Sequence, residues 1–141
     1  MKFAVFGTGG MGAYFGGRLA RAGYDVWFIA RGRNLAAMRE SGLRIESPTG
    51  NFTVNPVQAT DDPAKIGPVD YVLYCVKLYD VDSTKQALKP LLSPQTSILT
   101  LQNGIDVVDM LAPGVGRERL LPGASYVSSN IFEPGLIRHV G

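Results

Sequence analysis

The chain has 141 residues, 45% hydrophobic and 18% charged, which is the composition of one globular domain able to bury a core and not of a disordered segment. Its net charge of +2 is too small to argue for a nucleic-acid partner. A single cysteine, Cys75, and a single histidine, His139, exclude an intrachain disulfide framework, Cys- or His-rich metal sites and most histidine-based catalytic triads.

In chain order, residues 2–6 form a short apolar run of the kind found in strands covered on both faces. After a run of glycines, Met11, Phe15, Leu19 and Ala22 fall at helical spacing, and Gly23 supplies a stop. Residues 25–30 read as the next strand. Strand, glycine turn, helix and strand within about 30 residues make a βαβ unit with a right-handed crossover. Residues 34–41 read as a second helix ended by Gly42. "LRIESPTGNFTV" (43–54) then reads as a hairpin turning at residues 47–50, inserted into the α/β alternation. "TDDP" (60–63) is placed as the cap of a short helical turn. Residues 70–76 read as a buried strand, 81–92 as a helix stopped near Pro94, and 97–102 as a further strand. "GIDVVDML" (104–111) reads as a short helix ending before Pro113. From Leu120 the tail is β-rich, with a turn at 133–135.

The expectation is an α/β, Rossmann-like doubly wound domain over residues 1–141, with a mostly parallel sheet, an inserted β-hairpin and a β-rich C-terminal tail. Such sheets bind ligands at the C-terminal ends of their strands. No apolar run approaches the ~18 residues of a membrane helix, and nothing before the first strand resembles a secretory leader. A cytoplasmic location follows by elimination, with neither membrane nor nucleic acid as partner.

Gly7-Thr8-Gly9-Gly10-Met11-Gly12 matches G-x-G-x-x-G between a strand and a helix, the context a dinucleotide site requires. Gly7 permits the tight turn, Gly9 lets a pyrophosphate approach the backbone, and Gly12 lets helix and strand pack closely. The helix N-terminus then offers free N–H groups to the phosphates. About 20 residues beyond the glycines, many such proteins place an acid that accepts from the ribose 2′-hydroxyl of NAD. Here the second strand ends on Arg31-Gly32-Arg33, with no Asp or Glu. A guanidinium at Arg31 suits a 2′-phosphate, so the expected cofactor is NADP(H). Arg33 is balanced between the same role and that of a solvated helix-entry residue.

"CVKLYD" (75–80) and "LQNGI" (101–105) follow the next two strands, so Lys77 and Asn103 fall on the same sheet edge as the glycine turn. With "FGTGGMG" (6–12), "AR" (30–31), the hairpin 43–54 and the closing "EPGLIRHVG" (133–141), these motifs make the chain resemble the ketopantoate reductase family, the 2-dehydropantoate 2-reductases, over essentially its whole length. The resemblance implies reduction of the ketone of ketopantoate to pantoate with NADPH, a step toward pantothenate and coenzyme A. It implies that Gly7 to Gly12 bind the pyrophosphate and Arg31 the 2′-phosphate. Lys77 would lie beside the cofactor, Asn103 would contact cofactor and substrate near the nicotinamide, and Ile131 would touch the cofactor through its backbone.

Family members continue into a helical domain that supplies a general-acid lysine and an acidic residue for the substrate hydroxyl; residues 1–141 correspond to the cofactor half alone. The alternatives are a reductase of another small 2-keto acid and a non-catalytic NADP(H)-binding module. The expected partner is a small keto acid, and homo-oligomer formation stays open. No metal is expected. Cys75, Trp27, Tyr71 and Tyr74 are read as core, Asp61 and Asp62 as capping residues, and His139 as outside the chemistry. Tyr79 is a candidate for the flank of the nicotinamide pocket.

Overall fold

In the computed structural model, which describes residues 1–102, 106–123, 125 and 127–140, the first apolar run is β1 (Lys2–Phe6). It lies inside a six-stranded sheet of order β5-β2-β1-β6-β7-β8. These are β5 (Gln58–Thr60), β2 (Asp25–Ile29), β6 (Tyr71–Tyr74), β7 (Ser97–Thr100) and β8 (Leu120–Pro122). Every adjacent pair is parallel, with Val5 opposite both Phe28 and Leu73.

Side chains alternate across this sheet and divide the core in two. Ala4, Phe6, Val72, Tyr74 and Ile98 point to one face, where they meet α3 (Val81–Thr84), the 3-10 segment Lys85–Leu91 and α4 (Asp106–Val115). Val5, Val26, Phe28 and Leu73 point to the other, under α1 (Gly10–Arg21) and α2 (Gly32–Ser41). Burial on both faces explains why β1 and β6 read as continuous apolar runs. Each fully buried Phe, Leu or Ile side chain contributes about 1.5–3 kcal/mol.

A second, four-stranded sheet has the order β4-β3-β10-β9. The expected hairpin is β3 (Leu43–Glu46) with β4 (Phe52–Val54), and the tail supplies β9 (Ser129–Glu133) and β10 (Leu136–His139). The two hairpins join through parallel pairing of β10 with β3. Leu43, Ile45 and Ile137 place this small sheet over α1, in the same core as Val5 and Phe28. The glycines of α1 make that sandwich thin. A Cβ on Gly16 would stand 2.6 Å from both Phe28 and Val5, and one on Gly17 would overlap Ile45 of the small sheet.

Several expected elements differ in the structure. β5 was not anticipated: three residues are too few to show a period. The helix expected over 81–92 is four residues of α-helix followed by 3-10 turns to Leu91, and Pro90 within those turns has no N–H to donate to Gln86 O. α4 runs through Pro113 to Val115 instead of stopping before it; the proline sits in the last turn, which Gly116 N–H closes on Ala112 O at 2.9 Å. The first strand of the tail, β8, belongs to the large sheet and not to the terminal hairpin. Asp62 caps a 3-10 turn as expected, accepting from Ala64 N–H at 3.0 Å. Among the described residues, no helix is long and apolar enough to cross a membrane.

Candidate functional site

A cleft of about 490 Å³ opens at the C-terminal edge of the large sheet. The turn after β1 supplies Gly7, Thr8 and Gly9; the end of β2 supplies Arg31, with Asn34 from the first turn of α2. Lys77 comes from the end of β6, Asp61 from the end of β5, and Ile131 from β9 of the small sheet. Six of the residues singled out in the sequence, Gly7, Thr8, Gly9, Arg31, Lys77 and Ile131, therefore share one cleft. Gly10, Met11 and Gly12 lie behind it in the first turn of α1 and do not line it. Asn103 falls outside the described residues.

The glycines play different parts. Gly7 has φ +96°, and a Cβ there would meet Val76 N at 2.7 Å, so the turn admits no side chain. At Gly9 nothing lies within 4 Å of the Cβ position: the space faces the cleft and is free for a ligand. A Cβ on Gly10 would press on the Ser129 backbone, whose hydroxyl donates to Gly10 O at 2.7 Å. One on Gly12 would overlap the Gly7 carbonyl and meet Val5 Cγ1 at 3.1 Å, which is the close helix–strand approach the motif demands.

Two helices present their N-termini near this edge without a capping side chain and without an acid in the first turn. Their free N–H groups suit an anion. Gly9 is the N-cap of α1 and Arg31, exposed, is the N-cap of α2. Arg33 is exposed in the first turn of α2 and does not line the cleft. Lys77 is exposed at the start of the 3-10 turn Leu78–Asp80, and Tyr79 stands at the mouth, 82% exposed. Gln102, next to Asn103, donates from Nε2 to Val76 O at 3.0 Å and ties the end of β7 to the strand end that carries Lys77.

Burial pushes the Cys75 thiol up to about 12, so it stays protonated and non-nucleophilic at neutral pH. Burial likewise raises Tyr74, whose hydroxyl pairs with Thr84 Oγ1 at 2.8 Å. His139 is buried in the small sheet, with Nδ1 2.8 Å from Ser47 Oγ and its ring 4.2 Å from that of Tyr14; it does not line the cleft.

Sequence reading missed Asn34 and Asp61. Asn34 sits three residues after Arg31, on the same helical turn. Asp61 follows β5, so the strand-end rule would have found it had that strand been recognised. The cleft carries groups that suit a dinucleotide: an open glycine at a helix N-terminus for a pyrophosphate, a guanidinium at the end of β2, and Lys77 at the end of β6. Among the described lining residues the carboxylates are Asp61, which follows β5 on the strand paired with β2, and Asp80, which follows β6.

The family model for ketopantoate reductase PanE/ApbA matches residues 3–141. The chain is 32% identical to a 2-dehydropantoate 2-reductase of Nostoc sp. over 99% of its own length and 43% of that protein. Among solved structures, a 2-dehydropantoate 2-reductase from Geobacter metallireducens GS-15 superposes with a TM-score of 0.95 at 38% identity, covering 100% of this chain and 46% of that one. One from Porphyromonas gingivalis W83 gives a TM-score of 0.92 at 38% identity, covering 100% and 52%. The chain thus spans about half the length of the relatives it matches. With the family model matched over nearly every residue and the glycine turn, Arg31 and Lys77 sharing one cleft, the chain belongs to the ketopantoate reductase PanE/ApbA family.

Proposed function

We propose that this chain is the NADPH-binding part of a cytoplasmic reductase that converts 2-dehydropantoate to pantoate. The observation that carries the reading is the meeting of the glycine turn, Arg31 and Lys77 in one cleft at the strand ends. NADPH, when bound, supplies the hydride that goes to the ketone carbon.

The residues of the chain bind and orient. The N–H groups at the start of α1 hold the pyrophosphate, with Gly9 leaving room for it. The Arg31 guanidinium pairs with the 2′-phosphate through two charge-assisted hydrogen bonds. Lys77, at the end of β6 in the same cleft, would place positive charge beside the nicotinamide half, and Ile131, from the small sheet, would touch the cofactor through its backbone. Asn103 contacts cofactor and substrate, a role carried over from the family motif.

The test is a fluorescence titration of the chain with NADPH and NADH, repeated with Arg31→Asp. The expected result is at least ~10-fold tighter NADPH binding, about 1.4 kcal/mol, abolished by the substitution. Equal affinity for both nucleotides in the original chain, or a preference that survives Arg31→Asp, defeats the 2′-phosphate assignment.

A further inference from the structure

Asn34 occupies the third position of α2, where a polar side chain ordinarily turns back to cap its own helix, yet α2 has no side-chain cap. It reaches in two other directions. Its Nδ2 donates to Thr8 O at 3.1 Å, and its Oδ1 accepts from Gly135 N–H at 2.8 Å. The two partners fix which end of the amide is which: only nitrogen satisfies a carbonyl and only oxygen satisfies an N–H. Thr8 is held from its other side as well, its hydroxyl donating to Ile29 O at 2.8 Å.

The consequence lies in the next peptide. C=O and N–H of a trans peptide point in opposite directions, so pinning Thr8 O toward Asn34 fixes the direction of the Gly9 N–H. That N–H has no acceptor among the described residues, and Gly9 lines the cleft. From this geometry we infer that Asn34 is a positioning residue for the pyrophosphate: it holds the Thr8–Gly9 peptide in the orientation that presents the Gly9 N–H to a phosphate oxygen. Through Gly135 it also makes the β9–β10 turn of the small sheet a structural support of the cofactor loop. The inference rests on the dinucleotide reading above and deepens it. It accounts for an asparagine that neither caps its helix nor contacts solvent freely, and for a linkage between residues 101 apart.

The experiment compares two ligands that share the 2′-phosphate and differ in the pyrophosphate, NADPH and adenosine 2′-monophosphate. Both are titrated against the original chain, Asn34→Ala and Asn34→Ser, with thermal melts as a check on folding. Serine is well tolerated at helix N-termini and too short to span to Thr8, so Asn34→Ser serves if Asn34→Ala does not fold. NADPH is expected to bind about 10-fold more weakly to the variants, and adenosine 2′-monophosphate within about twofold of the original chain. In a ¹H–¹⁵N spectrum of free protein the Gly9 amide should move on substitution. Unchanged NADPH affinity in a folded variant overturns the positioning role while leaving the dinucleotide reading intact. Equal weakening of both ligands overturns it too, since a general loosening of the site does not distinguish them. If the original chain binds NADPH no better than adenosine 2′-monophosphate, the pyrophosphate site itself fails, and the role of Asn34 with it.

Discussion

Replacing Gly9 by alanine adds a methyl group where nothing lies within 4 Å, whereas the same change at Gly7 drives Cβ to 2.7 Å from Val76 N and 2.8 Å from Cys75 C. Gly9 has φ −89° and ψ −163°, extended values that alanine adopts freely. Losing glycine's freedom in the unfolded chain offsets any loss at the helix start, so Gly9→Ala should change stability by less than about 1 kcal/mol. Gly7 has φ +96°. Alanine there costs about 1–3 kcal/mol in backbone strain and a further 1–3 kcal/mol as the turn is pushed off the end of β6, less about 0.4–1 kcal/mol gained through the unfolded state. The net is about 1–6 kcal/mol. Melting entropy of about 2.1 cal/mol/K per residue makes each kcal/mol worth roughly 3–4 °C in a chain this size, so Gly7→Ala should lower Tm by about 3–20 °C. Gly9→Ala should leave Tm within about 3 °C and weaken NADPH at least ~10-fold, because its methyl occupies the ligand's approach. Circular-dichroism melts and fluorescence titration read both effects. A Gly9→Ala protein that melts normally and binds NADPH normally would refute the claim that the open side of Gly9 is where the phosphates come in.

Two further outcomes follow from the core. Burial pushes the Cys75 thiol up to about 12, well above the ordinary thiol range, so the unfolded chain releases this proton first as pH rises. Stability should therefore fall between about pH 9 and 12, by on the order of 1 kcal/mol per pH unit, and Cys75→Ala should remove that part of the slope; identical slopes in the two proteins would contradict it. Arg119 donates to Val115 O, Ser93 O and Thr96 O at 2.6–2.9 Å, on the strand edge away from the cleft. Arg119→Met leaves those carbonyls without their charged donor and should cost about 2–4 kcal/mol in a denaturant titration, with NADPH affinity held within about twofold. A large change in affinity at unchanged stability would reverse that assignment.

What was readable in advance depended on how local the signal is. The glycine turn announced itself because each of its glycines answers a steric demand within a few residues: a tight turn at Gly7, a bare backbone at Gly9, a helix seated on its own preceding strand at Gly12. Arg31 was readable because the strand-end rule converts a position in the chain into a position on the sheet edge. Strands that are apolar on both sides, such as β1 and β6, declare their burial by composition alone.

Other features carry no local signature. Nothing in residues 43–54 or 129–139 says that the two hairpins pair with each other, since backbone pairing between distant segments depends on where α1 brings them. β5 is three residues long and exists because β2 offers it an edge. Asp61 enters the cleft only through that pairing, and Asn34 finds Thr8 and Gly135 only once both sheets are in place. The sequence by itself determined the βαβ unit, the turn that starts it and the guanidinium that follows. The tertiary structure decided which distant groups complete the cleft, because hydrogen bonds and close packing between remote segments are set by their meeting in space and not by neighbours along the chain.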